Sequence, residues 1–204
     1  DRVQSNQWTA QLLEEHLNHL KQGNPALKVA IIADEPDYWV IDKPAGMPSH
    51  PLRLGESQSV THWALAQAPG LCDIFSTPLP LLSPHRLDTG TSGVLMVAKS
   101  PEAYEHLRSH FSEKSVEKKY LAWCWGEPQE REYEVHLAIA HDLRDASRMV
   151  VVDLEGLTDE VEDFRPPILP AHSKVQVIEK RSGRFLAEIS CETGVTHQVR
   201  VHLA

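Results

Sequence analysis

Residues 85–93 read His-Arg-Leu-Asp-Thr-Gly-Thr-Ser-Gly and lead directly into an apolar run, Val94–Ala98. This pattern predicts a loop that delivers an arginine and an aspartate to the start of a buried strand. Asp88 is therefore expected at the edge of an apolar layer, where a carboxylate is costly unless a cation pairs with it. Arg86 stands nearby in sequence. Near the end of the chain, Arg200 lies among apolar neighbours and is the candidate ion-pair partner of Asp88.

The composition is that of a folded protein without a membrane span. The chain has 204 residues, of which 41% are hydrophobic and 24% charged, and no apolar run approaches the length of a bilayer-crossing helix. Its three cysteines, Cys72, Cys124 and Cys191, are far apart, which favours reduced thiols in the cytoplasm over a disulfide framework or a metal pair.

The net charge of −9 does not exclude a nucleic-acid partner. Residues 126–170 contain twelve acidic and four basic residues and carry most of the imbalance. Because binding depends on local potential, the near-neutral segment around residues 85–125 remains free to meet RNA. The acidic stretch Asp153–Asp163 is predicted to be a solvated loop.

The remaining pattern predicts an α+β chain with a helical extension at residues 1–28 and one domain at residues 29–204. A partner-binding role for the extension is the alternative to simple packing. The predicted helices are 8–21, 57–67 and one capped by Ser100; the predicted strands are 29–33, 38–41, 94–98, 120–125, 133–140, 149–152, 174–179 and 185–191.

Four segments, in order, resemble the RluA-like branch of the pseudouridine synthases. They are Lys43-Pro44-Ala45-Gly46, the central stretch 85–93, Lys119-Tyr120, and the closing run from Thr193 to His202. The resemblance covers the chain from about residue 29 to its end. Any one segment alone is a weak signal, whereas four in the right order are specific.

The resemblance implies a mixed, mostly antiparallel sheet with flanking helices and a central catalytic cleft. It implies an enzyme that flips specific uridines out of structured rRNA or tRNA and isomerises them to pseudouridine. It also implies that the reaction needs no metal and no organic cofactor. We expect a monomer that acts in the cytoplasm.

The resemblance also assigns roles to residues. Asp88 is the expected nucleophile, Arg200 its ion-pair partner, and Tyr120 the ring that stacks on the target base. Arg86 is expected to help turn the base out of its stack. The wider substrate-binding set consists of Arg86, Lys43, His85, Lys119, His197 and Gln198. For Lys43, whose proline-punctuated loop suits phosphate contact, an ordinary surface lysine is the alternative.

Two departures from the family pattern keep alternatives open. Val195 stands where the family usually carries arginine or lysine, and the family continues beyond Ala204, so we expect a truncated chain. A catalytically weak or inactive RNA-binding relative is the first alternative. A metal-dependent hydrolase is the second, but His197 and His202 are five residues apart and no His-Glu-x-x-His motif is present.

Overall fold

The computed structural model describes residues 10–53, 55–71, 82–113, 115–153 and 164–204, with side chains from residue 14 onward. The chain divides into two compact units, residues 1–113 and residues 114–204. The helical extension predicted for residues 1–28 falls within the first unit. The predicted acidic loop lies outside the described residues, apart from Asp153. In the described ranges no helix has the length and apolar character needed to cross a bilayer.

The first unit contains a three-stranded antiparallel sheet. Its strands are β1 (Ala30–Asp34), β2 (Tyr38–Lys43) and β3 (Gly93–Ala98), in the order β1-β2-β3. Side chains alternate between the two faces of a strand, so β2 buries every second residue, namely Trp39, Ile41 and Lys43. The same alternation buries Leu95 and Val97 of β3. A lysine therefore enters the core of the first unit.

Among the described residues of this unit, three helices accompany the sheet: α1 (Ala10–Lys21), α2 (Val60–Gln67) and α3 (Pro101–Ser112). The predicted start of α3 is confirmed, because the Ser100 hydroxyl accepts a hydrogen bond from the Ala103 N–H at 3.1 Å. The end of α1 approaches α2 so closely that Gly23, with φ +58°, could not carry a Cβ. That atom would lie 2.5 Å from the Ala66 nitrogen. Trp39 and Trp63 pack edge to face at 5.6 Å.

The second unit contains a four-stranded antiparallel sheet in the order β4-β10-β9-β5. The strands are β4 (Lys118–Trp125), β5 (Glu132–Val135), β9 (Ser173–Arg181) and β10 (Arg184–Cys191). The predicted strands 174–179 and 185–191 are confirmed as β9 and β10, which pair as an antiparallel hairpin. One face buries a cluster that includes Val175, Phe185 and Ile189. The other face leaves Trp123 and Trp125 exposed.

A second sheet in this unit has the order β7-β6-β8 and is followed by a short helix. Its strands are β6 (Ala138–Asp142), β7 (Met149–Val152) and β8 (Phe164–Leu169), and the helix is α4 (Gln198–His202). The prediction of one strand over 133–140 was wrong. His136 and Leu137 interrupt it, and the chain passes there from β5 in one sheet to β6 in the other.

The predicted fold class is confirmed. Helices accompany sheets in which every strand pair among the described residues is antiparallel. The alternation of exposed and buried residues along β4, β9 and β10 is the physical basis of this outcome, because it leaves one apolar face to bury.

Candidate active site

The loop that carries Asp88 is fixed at the residue before it. The buried Ser49 hydroxyl donates a hydrogen bond to the Leu87 carbonyl at 2.9 Å and accepts one from the Leu87 N–H at 3.1 Å. Both polar groups of one peptide residue are thus satisfied by a single side chain from another loop. The Asp88 side chain itself is half-buried. We call this pair of hydrogen bonds the Ser49 clamp. By fixing Leu87, the clamp orients the side chain of the next residue, Asp88.

A second clamp holds the residue after Asp88. The Thr89 carbonyl accepts hydrogen bonds from the Gly46 N–H at 2.7 Å and from Lys43 Nζ at 3.4 Å. The Thr91 N–H donates to the Asp88 carbonyl at 3.0 Å and closes the turn. Gly46 has φ +87°, a conformation that glycine adopts without strain. Asp88 therefore lies between two residues, Leu87 and Thr89, whose backbone groups are held by hydrogen bonds.

Lys43 lies beneath this loop rather than on the surface. Its side chain is fully buried, and Nζ donates to the carbonyl oxygens of Met47 at 2.7 Å, Pro44 at 3.1 Å and Thr89 at 3.4 Å. Burial lowers the pKa of the Lys43 amine, and the Asp88 carboxylate acts in the opposite direction. The expected contact between Lys43 and an RNA phosphate conflicts with this burial. The amine instead connects the loop that contains Pro44 and Met47 to the loop that contains Thr89.

His85 also holds the loop from within. Its Nε2 accepts a hydrogen bond from the Met96 N–H at 3.1 Å, and its ring stacks on Phe111 with centroids 4.4 Å apart. These contacts connect the start of the loop to β3 and α3. The expected substrate contact of His85 remains a prediction, and the observed contacts give it a positioning role.

Arg86 presents the exposed cation of this loop. Its neighbour His50 is half-buried, and burial, followed by the positive charge of Arg86, lowers the pKa of His50 to about 4. His50 is consequently neutral at physiological pH, so Arg86 supplies the positive charge there. An exposed guanidinium suits the expected contact with RNA phosphate.

In the second unit, Tyr120 lies on the face of β4 that packs against the buried cluster. Lys119 points to the opposite face, where Nζ forms ion pairs with Glu117 at 3.1 Å and with Glu188 at 3.9 Å. Tyr120 and Lys119 thus point to opposite faces of β4. The expected substrate contact of Lys119 remains a prediction. Lys118 shares the Tyr120 face and donates from Nζ to the Thr193 carbonyl at 2.8 Å.

Gln198 is the hub of the closing segment. Its Oε1 accepts hydrogen bonds from the Thr193 hydroxyl at 2.8 Å and the Val195 N–H at 3.1 Å. Its Nε2 donates to the His172 carbonyl at 2.8 Å and the Ser173 hydroxyl at 3.0 Å. The Gln198 amide is buried and bonded to partners inside the protein, whereas we expected it to bind substrate. It positions the turn before α4.

His197 and Arg200 belong to the helix that Gln198 holds. His197 caps α4 with φ +59°, a left-handed conformation that a non-glycine residue adopts only at some cost. Arg200 is exposed on that helix. Val195 packs with Val201 against a buried cluster formed by Ile139, Met149 and Ala171, so its apolar side chain has a structural reason.

Within the first unit, the structure thus places Lys43 next to the Asp88 loop, and His85 connects the start of that loop to β3 and α3. The structure brings together Tyr120, Lys118 and the Thr193–Gln198 turn within the second unit. The ion pair between Asp88 and Arg200 remains a prediction. Sequence reasoning missed Ser49, Lys118, Thr193 and Ser173. No sequence signal singles out Ser49 or Ser173, whereas Lys118 lies two residues before Tyr120, the spacing that places residues on one strand face.

Comparison with known proteins connects these observations. A family model described as RNA pseudouridylate synthase matches residues 37–204. The ribosomal large subunit pseudouridine synthase D of Nitrosomonas europaea is 32% identical over 178 residues, which cover 87% of this chain and 46% of that protein. The mitochondrial pseudouridylate synthase RPUSD4 of Xenopus tropicalis is 32% identical over 190 residues, which cover 87% and 56%. The chain spans about half the length of these curated relatives.

A solved structure supports the fold. The human RNA pseudouridylate synthase domain containing 1 superposes with a TM-score of 0.66 at 22% identity, covering 86% of this chain and 64% of that one. At this identity the likeness concerns the fold alone. It agrees with the α+β architecture and antiparallel sheets described above.

Proposed function

Since the chain belongs to the RNA pseudouridylate synthase family, in its RluA-like branch, we propose that it isomerises uridine to pseudouridine in structured RNA. The observation that carries this proposal is the anchoring of Asp88. Its two flanking residues are fixed by Ser49 on one side and by Gly46 and Lys43 on the other. A nucleophile that must meet one atom of a flipped nucleotide requires such fixed geometry.

The reaction separates the uracil base from the ribose and rejoins them, so it needs a group that retains the detached fragment between the two steps. The bond between N1 of uracil and C1′ of ribose breaks, and a bond between C5 and C1′ forms. N1, which carries no hydrogen in uridine, gains a proton, and the hydrogen of C5 leaves as a proton to solvent. The Asp88 carboxylate attacks the base or the sugar, stays attached while the ring turns, and is released when the new bond is complete. No metal or organic cofactor enters this sequence.

The other proposed roles concern binding of the flipped base. Extrusion of a nucleotide costs a few kcal/mol, and stacking on an aromatic ring returns roughly 1–3 kcal/mol. We assign that stacking to Tyr120, the displacement of the base to Arg86, and the pairing with the Asp88 carboxylate to Arg200. An adjacent cation keeps a carboxylate ionised and therefore nucleophilic. His197 and Lys119 are assigned to the wider RNA contact.

We assign Lys43, His85 and Gln198 to positioning. Each uses its polar atoms on backbone or side-chain partners inside the protein. The proposed substrate is ribosomal or transfer RNA, with ribosomal RNA first because a relative is named for the large ribosomal subunit. We further propose that the chain acts as a monomer in the cytoplasm.

The test is tritium release from RNA labelled at C5 of uridine, because formation of the C5–C1′ bond expels that hydrogen. The chain is incubated with labelled ribosomal and transfer RNA transcripts. Release by the wild type, its loss in Asp88→Asn, and its retention in the matched control Asp37→Asn would support the proposal; Asp37 is an exposed carboxylate in the same unit. Release that persists in Asp88→Asn would refute the role of Asp88.

The packing of Val195 in an apolar cluster favours the second candidate, an RNA-binding relative without activity. An apolar side chain there provides no cation for the substrate. The same experiment separates the two functions. Tight binding of a transcript without tritium release by the wild type would establish the second candidate and overturn the first.

A further inference from the structure

Three potential metal ligands meet at the end of β5. Oε2 of Glu134 lies 3.1 Å from Nε2 of His136 and 3.1 Å from Nε2 of His172. All three donor atoms lie within 4.8 Å of one another. The two imidazole rings stack with centroids 4.3 Å apart and an angle of 13°. Two histidines thus face the same carboxylate oxygen.

Two neighbouring chain segments supply these ligands. Glu134 is on β5, His136 follows the end of that strand, and His172 directly precedes β9, which pairs with β5. The backbone of His172 is itself fixed, because its N–H donates to the Thr193 hydroxyl at 3.1 Å and its carbonyl accepts from Gln198 Nε2. The ligands are therefore held by secondary structure and by the closing segment.

The distances suit a tetrahedral ion. With zinc–nitrogen and zinc–oxygen bonds of about 2.0–2.2 Å, neighbouring ligand atoms of a tetrahedron lie about 3.3–3.6 Å apart. Both Glu134–histidine distances are close to that edge. Glu192 provides an outer carboxylate, with Oε2 at 3.4 Å from His172 Nδ1. A carboxylate on the second nitrogen of a ligating histidine is a frequent feature of zinc sites.

We propose that Glu134, His136 and His172 bind a divalent transition metal of the zinc class, with the fourth position open to solvent. Without metal, each imidazole Nε2–H donates to Glu134. On binding, the exposed His136 ring turns out of its stack on His172, because a ligated ion lies close to the plane of each imidazole ring. Each histidine then ligates through a deprotonated Nε2 and carries its hydrogen on Nδ1, where that of His172 donates to Glu192. The ion joins β5 to the start of β9. The site is formed by residues of the second unit alone, and the proposal does not rest on the proposed RNA reaction.

The experiment is a calorimetric titration of the metal-stripped, tag-free chain with zinc chloride at neutral pH. The expected result is one ion bound at the cluster in the wild type and its loss in His136→Ala and in Glu134→Gln. His136 is largely exposed, so its replacement leaves the fold intact, and circular dichroism verifies this. Absence of zinc binding by the wild type would overturn the proposal.

The matched control is the second histidine pair, His106 and His110, whose rings lie 4.9 Å apart on exposed positions of α3. Histidines four residues apart on a helix can themselves hold zinc. The double variant His106→Ala/His110→Ala should therefore keep the bound ion. Binding lost in that variant and unchanged in His136→Ala would place the ion on α3 and refute the cluster.

The outer carboxylate provides a second measurement. Glu192→Gln should weaken zinc binding about 10-fold, because it removes the group that orients His172. Zinc should also raise the melting temperature of the wild type but not that of His136→Ala. An unchanged affinity in Glu192→Gln, or an equal thermal shift in both proteins, would contradict the proposed coordination.

Discussion

Ser49 illustrates how one side chain prepares the candidate nucleophile. Its hydroxyl satisfies both the N–H and the carbonyl of Leu87, the residue before Asp88. Ser49 and Leu87 are both buried, so water is not available to replace these bonds. A buried polar group left unsatisfied costs roughly 1–3 kcal/mol. The position of the Asp88 carboxylate therefore depends on a residue that has no part in the chemistry.

Ser49→Ala should lower the free energy of unfolding by roughly 1–3 kcal/mol, because the Leu87 N–H loses its acceptor. It should also slow the reaction about 10- to 100-fold through displacement of the Asp88 loop. Urea unfolding and tritium release measure the two effects. The control Ser109→Ala, an exposed serine on α3, should change neither. Full activity in Ser49→Ala would show that the loop keeps its geometry without the clamp.

Tyr120 offers a separate test at the same scale. Tyr120→Phe should keep RNA affinity because the ring face remains, whereas Tyr120→Ala should lose roughly 1–3 kcal/mol of stacking. Trp123→Ala, on the opposite face of the same strand, is the matched control and should bind like the wild type. A filter-binding titration of one transcript suffices. Equal affinity for all four proteins would exclude stacking on Tyr120.

The sequence predicts some of these residues and not others. Asp88 stands out because a charged loop precedes an apolar strand and four segments resemble one family. The burial of Lys43 was not predicted, because it follows from three carbonyl partners that converge only in the fold. Ser49 was missed since its partner, Leu87, is 38 residues away.

At the scale of the element, α4 depends on its anchors. This helix has five residues and carries the exposed Arg200. Ser173 accepts a hydrogen bond from Gln198 Nε2 at 3.0 Å and lies 2.9 Å from Nδ1 of His202. The other nitrogen of His202 donates to the Leu137 carbonyl, so Nδ1 is the acceptor and the serine hydroxyl donates to it. One buried serine thus fixes both ends of α4.

Ser173→Ala should destabilise the second unit by roughly 1–3 kcal/mol, because it leaves a buried amide hydrogen and the His202 Nδ1 without partners. If Arg200 serves the reaction, the rate of tritium release should fall as well. Ser190→Ala, a half-buried serine on the adjacent strand, is the control and should be close to neutral. Chemical denaturation of the two variants makes the comparison, and equal stabilities would contradict the anchoring of α4.

Regular alternation of polar and apolar residues made β4, β9 and β10 predictable from the sequence, whereas the sequences of β8 and α4 show no regular pattern. Pro166 and Pro167 argue against a strand, yet β8 is the edge of its sheet, where a missing N–H is tolerated. The apolar residues of α4 and its flank alternate at 199, 201 and 203, which is not a helical period. This helix exists because its two polar anchors hold it.

Across the whole molecule, buried histidines connect stability to pH. Burial is the first cause that lowers the pKa of His62 and of His50 from 6.5 to about 4 in each case. Burial also lowers the pKa of His16 and of His202. At His62 and His50 the unfolded chain binds protons below about pH 6.5, while the folded chain does not until about pH 4. The resulting stability is complete above pH 6.5 and is lost as pH falls.

Urea unfolding at pH 7 and pH 5 should therefore differ, with His62 and His50 each contributing about 2 kcal/mol to the loss at pH 5. His62→Gln should flatten the dependence, because it removes a group that protonates only on unfolding. A free energy of unfolding that stays constant between these pH values would contradict the neutral burial of His62 and His50.

The most direct measurement is a rapid-quench reaction with the chain in excess over one ribosomal RNA transcript. The quenched protein is digested with a protease, and the masses of its peptides are measured by mass spectrometry. We predict a nucleotide attached to the peptide that contains Asp88, and neither attachment nor tritium release in Asp88→Asn. A nucleotide attached to a different residue, or isomerisation at an undiminished rate by Asp88→Asn, would contradict the assignment of Asp88 as the nucleophile.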